Sequence, residues 1–172
     1  MNHVSHKVNG VEFSTGSLGH GLPVAVGKAL KFKINKEKNK VFTLLSDGEM
    51  NEGTTWESLL FASHHKLDNL TIIIDYNKIQ SMDFVHKVIN IEPLKSKLLS
   101  FGCNVYEING HNILAISRSL AKKNKNKPKV IIANTIKGKG ISFMENNNLW
   151  HYKSPTIKEL NTGLNEIKKK YA

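Results

Sequence analysis

Four short apolar runs, each separated from the next by a stretch with helical spacing, most constrain the fold of this chain. The runs are rich in β-branched residues: VFTLLS at 41–46, LTIIID at 70–75, CNVYEI at 103–108 and KVIIAN at 129–134. Such runs are typical of strands that are buried on both faces. Because parallel strands need crossover connections, the alternation predicts an α/β fold, a three-layer sandwich with a mainly parallel sheet and helices on both faces.

The stretches between the runs have the three- and four-residue spacing of amphipathic helices. This spacing predicts helices over 53–66, 91–101 and 113–121, and a glycine-rich turn leads into a further predicted helix over 17–32. In the helix over 53–66, the residues expected on one side are Trp56, Leu59, Leu60 and Ser63. Residues 137–154 form a polar loop too long for a simple connector, so it is either functional or mobile.

The last residues of the chain carry an apolar stripe. Its members, Ile157, Leu160, Leu164 and Ile167, predict an amphipathic helix over 156–171 that docks on another surface. Either Ser154 or Thr156 suits the N-cap of this helix. We therefore divide the sequence into a domain over 1–155 and a tail over 156–172.

Length and composition agree with one compact domain, since 172 residues with 40% hydrophobic side chains can bury a substantial core. No apolar run approaches the roughly 20 residues that a membrane span needs. The start MNHVSHKVNG also lacks the apolar region of a signal peptide, so we expect a cytoplasmic protein without a membrane partner.

The single cysteine, Cys103, lies in an apolar stretch and is expected to be a buried, inert thiol.

The net charge of +11 raises the possibility of nucleic acid binding. Of the 25 basic residues only Arg118 is an arginine, whereas base and phosphate recognition favour the guanidinium group. We therefore expect a solvated basic surface and no nucleic acid partner.

Two glycine-containing segments do not match known nucleotide-binding motifs. The glycines at 16, 19 and 21 lack the order of the dinucleotide fingerprint, which disfavours an NAD site. The segment 137–140 lacks the spacing of a phosphate-binding loop, which disfavours an NTP site.

Polar residues follow the first two apolar runs, where ligands bind in open parallel sheets. Asp47 and Gly48 follow the first run, and Asn77 follows the second. Carboxylate and amide oxygens suit Mg²⁺ or Ca²⁺, and a diphosphate would supply further oxygen ligands. The diphosphate would also meet the N-terminal amides of the helix that is predicted to begin near Asn51. The same residues also suit an ordinary turn with Asp47 as an N-cap, and the residues by themselves leave both interpretations open.

The sequence around these residues resembles the thiamine diphosphate motif. SDGEMNEGTTWES at 46–58 is followed by LTIIIDYNKIQ at 70–80, and 30 positions separate Asp47 from Asn77. STGSLGHGLPVAVGKAL at 14–30 is similar to the glycine-rich turn and helix of the transketolase family, and TIKGKGISFMENNNLWHYKSP at 135–155 resembles its closing loop. The four motifs, in this order, resemble the amino-terminal, diphosphate-binding subunit of a transketolase split over two chains.

The resemblance implies a role for each matched residue. The metal ligands would be the side chains of Asp47 and Asn77 and the backbone carbonyl of Ile79. Gly16 and Leu18 match the turn that lines the aminopyrimidine, Gly48 and Glu49 lie at the diphosphate, and His151 matches a histidine close to the diphosphate and the reacting centre. His3 matches a substrate-facing histidine, and Glu52 and Glu57 match glutamates at the subunit interface.

The resemblance also implies an activity and a partner. The activity is Mg-thiamine diphosphate-dependent transfer of a two-carbon ketol unit between sugar phosphates. The glutamate that ionises the cofactor belongs to the other half in this family, so the resemblance implies a pyrimidine-binding, carboxyl-terminal partner subunit, with two such pairs forming a dimer. Subunits of the family extend further upstream, so we expect the domain to be truncated at its N-terminus, with apolar sheet surface exposed.

Two alternatives remain open. The chain could belong to a related thiamine diphosphate-dependent sugar synthase, since the binding motif does not separate the two activities. It could also be a degenerate or truncated fragment that acts as a non-catalytic interaction module.

Overall fold

The computed structural model describes residues 3–171, so Met1, Asn2 and Ala172 at the ends of the predicted domain and tail lie outside the described residues. The helices are α1 (Gly21–Ile34), α2 (Gly53–His64), α3 (Val85–Val88), α4 (Leu94–Ser100), α5 (Ile113–Ala121) and α6 (Ile157–Tyr171). The strands are β1 (Val41–Ser46), β2 (Leu70–Tyr76), β3 (Asn104–Asn109) and β4 (Lys129–Asn134), and short 3₁₀ turns span Gly48–Asn51 and Asn148–His151.

The four strands form one parallel sheet in the order β1-β2-β4-β3, which confirms the predicted α/β architecture. Ser46 at the end of β1 pairs with Asp75 in β2, and Tyr76 at the end of β2 pairs with Asn134 in β4. The carboxyl ends of the strands therefore lie side by side, and the loops that follow them meet at one edge of the sheet.

The main core lies on one face of the sheet. Side chains of α1, α2 and α4 pack there against alternate residues of the strands, including the fully buried Leu22, Leu59, Leu98, Ile72 and Ile132. The other face is covered less completely, because α5 packs against β3 and leaves the edge strand β1 open. Phe42 and Leu44 on this face are 54% and 67% exposed, as expected for an incompletely covered sheet.

The structure corrects several predicted element boundaries and the predicted burial of one residue, Leu60. Helix α1 begins at Gly21, four residues after the predicted start, because Gly19 adopts a φ of 76° that a helix cannot accommodate. Helix α4 begins only at Leu94, after Pro93, whose ring fixes φ and disfavours a helical residue before it. Strand β3 begins at Asn104 and not at Cys103.

Leu60 was predicted on the inner side of α2 but is 57% exposed. The buried face of this helix is formed by Thr55, Ser58, Leu59 and Ala62. Two of these residues are polar, and their hydroxyls donate to the carbonyls of Glu49 and Thr54, which removes the cost of burying them. Of the other residues predicted on this side, Leu59 is fully buried and Trp56 packs against the core, so the prediction is wrong at Leu60 and misses the buried polar positions.

Helix α6 confirms the predicted amphipathic tail, and Thr156 provides its cap. The amide of Thr156 donates to Oε2 of Glu159 at 2.8 Å, and the amide of Glu159 donates to Oγ1 of Thr156 at 3.3 Å, which is a capping box. Glu166 accepts from the backbone amide and the hydroxyl of Ser142, so the helix is attached to the loop after β4. Its predicted apolar stripe stays exposed: Ile157, Leu160, Leu164 and Ile167.

Cys103 is buried, as predicted, and burial raises the pKa of its thiol to about 12. Its sulfur is therefore a neutral thiol at physiological pH and a poor nucleophile. Among the helices of residues 3–171, none is both long enough and apolar enough to cross a membrane.

Candidate functional site

Asp47 lies directly after β1, at the carboxyl edge of the sheet, and is only 2% exposed. Its Oδ2 accepts a hydrogen bond of 2.7 Å from the backbone amide of Lys78, which follows β2. Burial raises the pKa of Asp47 to about 6, although the amide of Lys78 opposes this shift by donating to the carboxylate and the nearby amide of Gly48 opposes it as well. The structure therefore brings the two predicted strand ends together around a buried carboxyl group.

Asn77 and Ile79 lie on either side of Lys78 in the same turn. Oδ1 of Asn77 accepts from the backbone amide of Ile79 at 3.0 Å, and Lys78 takes a φ of 68°. Ile79 is 3% exposed and forms an isolated antiparallel bridge with Phe84, which fixes the direction of the turn. The amide oxygen and backbone carbonyl expected to bind a metal are thus held in the turn that touches Asp47.

Two side-chain amides beside Gly48 have unused hydrogen-bonding groups. Nδ2 of Asn51 lies 3.4 Å from Oε1 of Gln80, while the oxygen of Asn51 and the nitrogen of Gln80 are buried without a partner among the described residues. Exchanging the oxygen and nitrogen of both amides would still leave one donor and one acceptor unpaired. Unpaired buried polar atoms are costly, so this region suits a bound polar group.

The donors present here fit a hard cation with a phosphate ligand. Within residues 3–171, no group of three or more His, Cys, Asp and Glu side chains is arranged to hold a metal. The predicted site instead offers the carboxylate of Asp47, the amide oxygen of Asn77 and the carbonyl of Ile79. Mg²⁺ commonly takes few protein oxygens and completes its shell with water or phosphate oxygens, so this set suits it when a diphosphate is present.

The glycine-rich turn before α1 reaches the same edge of the sheet through Glu49. Oε1 of Glu49 accepts from the amide of Gly19 at 3.2 Å, and Oε2 accepts from the amide of Ser46 at 3.4 Å. Burial raises the pKa of Glu49, and these two donated hydrogen bonds oppose the increase. The predicted cofactor residue Glu49 therefore binds the amide of Gly19 in the glycine-rich turn and the amide of Ser46 next to Asp47.

The other residues predicted in this turn lie close by. The ring of His3 packs against Gly16, where a Cβ atom would lie 3.1 Å from the nearest ring atoms. Leu18 is half exposed. Glu52 packs against Gly19, whereas Glu57 is exposed on α2 and its side chain forms no hydrogen bond or ion pair within the described part of the chain. His3 and Glu52 thus contact the glycine-rich turn next to the site, whereas Glu57 does not belong to this group of contacting residues.

His151 lies in the 3₁₀ turn of the loop after β4, and Lys137 contacts it. The ammonium of Lys137 lies 3.1 Å from Nδ1 of His151. Partial burial lowers the pKa of His151, and the charge of Lys137 lowers it further. Nδ2 of Asn148 donates to the carbonyl of Ser81 at 3.2 Å, which attaches this loop to the segment that follows Asn77.

Lys137 is a site residue that the sequence reasoning missed. It follows β4 by three residues, and its charge acts on Asp47 as well as on His151. With Asp75 and Asn77 it lines an open cleft along the carboxyl edge of the sheet. Its position after the end of a predicted strand is the signal that could have identified it, but many lysines of this chain lie in loops.

Known proteins resemble this chain along nearly its whole length. Residues 3–171 match the family described as transketolase, thiamine diphosphate binding domain. One relative, from Actinobacillus succinogenes, is named as a subunit of apulose-4-phosphate transketolase and is 46% identical over 166 residues, which cover 96% of this chain and 60% of that protein. The 6-deoxy-6-sulfo-D-fructose transketolase subunit SqwG of Clostridium sp. is 42% identical over 138 residues, which cover 79% of this chain and 50% of that protein.

A solved structure gives the same fold. Transketolase from Campylobacter jejuni matches with a TM-score of 0.86 and 32% sequence identity, over 92% of this chain and 26% of that chain. The chain thus spans 60% or less of the length of each of these relatives.

Proposed function

The chain belongs to the transketolase family, and we propose that it is the amino-terminal, diphosphate-binding subunit of a transketolase-like enzyme split over two chains. One observation carries the proposal. The amide of Lys78 donates to the buried carboxyl group of Asp47 across 31 positions of sequence, so the two parts of the thiamine diphosphate motif meet in space. The names of two relatives, each described as a transketolase subunit, support the division over two chains.

The residues at the carboxyl edge of the sheet would hold Mg²⁺ and the diphosphate. Asp47, Asn77 and the carbonyl of Ile79 would bind the metal, and the amide of Gly48 would donate to the diphosphate. Lys137 adds a positive charge to the cleft that Asn77 also lines, where it would attract the phosphate oxygens. Gly16 and Leu18 would lie against the aminopyrimidine.

Thiamine diphosphate, when bound, supplies a nucleophilic carbon that accepts a two-carbon unit from a ketose and passes it to an aldose. This chain's contribution near the reacting centre would come from His151. A lysine ammonium only donates, so Nδ1 of the neutral imidazole accepts from Lys137 and the proton lies on Nε2. His151 could therefore donate a hydrogen bond from Nε2 to a sugar oxygen, and His3 would face the substrate.

A pyrimidine-binding partner subunit would complete the enzyme, and we propose a dimer of such pairs. Glu52 and Glu57 would lie at the interface between the chains. One relative is named for apulose 4-phosphate and another for 6-deoxy-6-sulfo-D-fructose. For this chain we propose transfer from a ketose donor to a sugar phosphate acceptor.

Calorimetric titration of thiamine diphosphate into the purified chain, with Mg²⁺ and then with a chelator, tests this function. We expect saturable binding that the chelator abolishes and that Asp47→Asn weakens at least tenfold. Glu37→Gln is the matched control, because it removes one negative charge from a side chain that follows the end of α1 and pairs with Lys31, outside the site. A wild-type chain without saturable binding would contradict a diphosphate site that forms on this chain alone, and would favour a partner-dependent site or the non-catalytic interaction module.

A further inference from the structure

Both backbone polar groups of Gly19 are held by side chains from distant parts of the sequence. The amide of Gly19 donates to Oε1 of Glu49 at 3.2 Å, and its carbonyl accepts from the hydroxyl of Thr54 at 2.8 Å. Glu49 lies in the 3₁₀ turn after β1, and Thr54 lies in the first turn of α2. The glycine-rich turn is therefore attached at one residue to two neighbouring elements.

The same residue fits closely against these elements. A Cβ atom at Gly19 would lie 2.4 Å from Oγ1 of Thr54 and 2.9 Å from Cβ of Glu52, distances that real side chains do not adopt. Gly19 also takes a φ of 76°, which favours glycine. Close approach and positive φ together explain why this position requires glycine.

Glu49 connects this turn to the end of β1. Its second oxygen, Oε2, accepts from the amide of Ser46 at 3.4 Å, and its own amide donates to the hydroxyl of Ser46 at 3.2 Å. Ser46 directly precedes Asp47. One carboxylate thus binds the backbone next to the proposed metal ligand with one oxygen and the glycine-rich turn with the other.

We propose that Glu49 is a positioning residue that, together with Thr54, fixes the turn over 16–19 relative to Asp47. The inference rests on the proposed function, since the turn would bind the aminopyrimidine end of thiamine diphosphate and Asp47 the metal at its diphosphate end. Glu49 acts through Gly19 and Ser46 and not by touching the cofactor. A carboxylate suits this role because two amides need two acceptor oxygens, whereas a glutamine side chain offers one.

Hydrogen exchange in the cofactor-free chain and cofactor titration test the proposal together. We expect Glu49→Ala to raise the exchange rate of the Gly19 amide at least tenfold and to weaken thiamine diphosphate binding at least tenfold. Glu49→Gln should fall between Glu49→Ala and wild type in both measurements. Thr54→Val, which keeps the shape but loses the donor, should also speed exchange of the peptide over 14–21.

Two controls separate this inference from the proposed function. Asp47→Asn should weaken binding without changing exchange at Gly19, and Glu37→Ala, at the far end of α1, should change neither measurement. Weaker binding by Glu49→Ala with unchanged exchange would overturn the positioning role and indicate direct contact with the cofactor. If the wild-type chain bound no cofactor, a diphosphate site formed by this chain alone would be ruled out, and the exchange data would decide separately whether Glu49 holds Gly19.

Discussion

The ammonium of Lys137 lies 3.1 Å from Nδ1 of His151, and this contact determines which nitrogen of the imidazole can act on a ligand. Lysine has no acceptor, so Nδ1 must accept and the neutral ring carries its proton on Nε2. The positive charge beside the ring also disfavours a second proton, which agrees with the lowered pKa of His151. Lys137 therefore keeps His151 neutral and oriented.

Lys137→Met should raise the pKa of His151 towards its ordinary value. The change removes the charge that repels the imidazolium form but leaves the partial burial of the ring, so some lowering should remain. Titration of the His151 ring resonances by NMR in the cofactor-free chain measures the shift. Lys139→Met is the control, because the ammonium of Lys139 pairs with Glu145 at 3.4 Å. An equal shift in both variants would contradict a specific effect of Lys137.

Gly19→Ala should destabilise the chain more than Gly10→Ala. Both glycines have positive φ angles, of 76° and 86°, so the two substitutions share a backbone strain of about 1 kcal/mol. A Cβ at Gly10 would meet no atom within 4 Å, whereas one at Gly19 would collide with Thr54 and Glu52. Urea unfolding of both variants isolates the cost of the collision, which we expect to be about 1–3 kcal/mol. Equal losses of stability in the two variants would show that the turn shifts to accommodate the added Cβ atom at no cost.

Lys129→Met should destabilise the fold because it removes the partner of three carbonyls at the end of α5. The buried ammonium of Lys129 donates to the carbonyls of Ser119 at 3.2 Å, Leu120 at 3.0 Å and Lys122. Methionine fills a similar volume but leaves these helix-end carbonyls without a donor, at a cost of about 1–3 kcal/mol. Chemical denaturation should show this loss for Lys129→Met and almost none for the exposed neighbour Lys123→Met.

The predictability of the fold differed between its strands and its helices. Strand β4 was predicted with its observed bounds, because a continuous apolar run buried on both faces is an unambiguous pattern. The inner side of α2 was predicted in part: Leu59 and Trp56 pack in the core, but the buried Thr55 and Ser58 are polar and satisfy their hydroxyls locally, so an apolar pattern does not find them. The short α3 has a single buried residue, Val85, so its sequence carries no periodic signal.

The predictability of the site depended on whether a residue stood in a recognisable pattern. Asp47 and Asn77 stand at the ends of predicted strands, and the parallel register brings these ends together. Lys137 is one lysine in a chain rich in lysine, so it is distinguished only in the folded structure, by its contact with His151 and its place in the cleft beside Asn77. The contact of Glu49 with Gly19 joins segments 30 positions apart, and no local pattern encodes such a pair.

Asp47→Asn should stabilise the metal-free chain at neutral pH while it weakens metal binding. Burial raises the pKa of Asp47 from 3.8 to about 6 in the folded chain, so the folded state holds a proton more tightly than the unfolded state does. The stability that this proton contributes is complete below pH 3.8 and is lost as the pH rises through about 6. At pH 7.5 the ionised carboxylate therefore costs at most about 3 kcal/mol, which a neutral asparagine avoids.

Urea unfolding at pH 7.5 and pH 4 measures this effect, and we expect a gain of about 1–3 kcal/mol at pH 7.5 that falls to about 0.6 kcal/mol or less at pH 4. Asp83→Asn should give no gain, because the amide of Phe84 lowers the pKa of Asp83 by donating to its carboxylate. At a hundredfold excess over the wild-type Kd, Mg²⁺ with thiamine diphosphate should stabilise wild type by about 2.7 kcal/mol, and Asp47→Asn by about 1.4 kcal/mol or less if its Kd is at least tenfold higher. If Asp47→Asn were less stable than wild type without metal, this account would be contradicted. The ionised carboxylate of Asp47 would then gain more from a partner within the chain than it loses by burial. A stability gain that persists in full at pH 4 would contradict it equally, since the cost attributed to Asp47 exists only while its carboxylate is ionised.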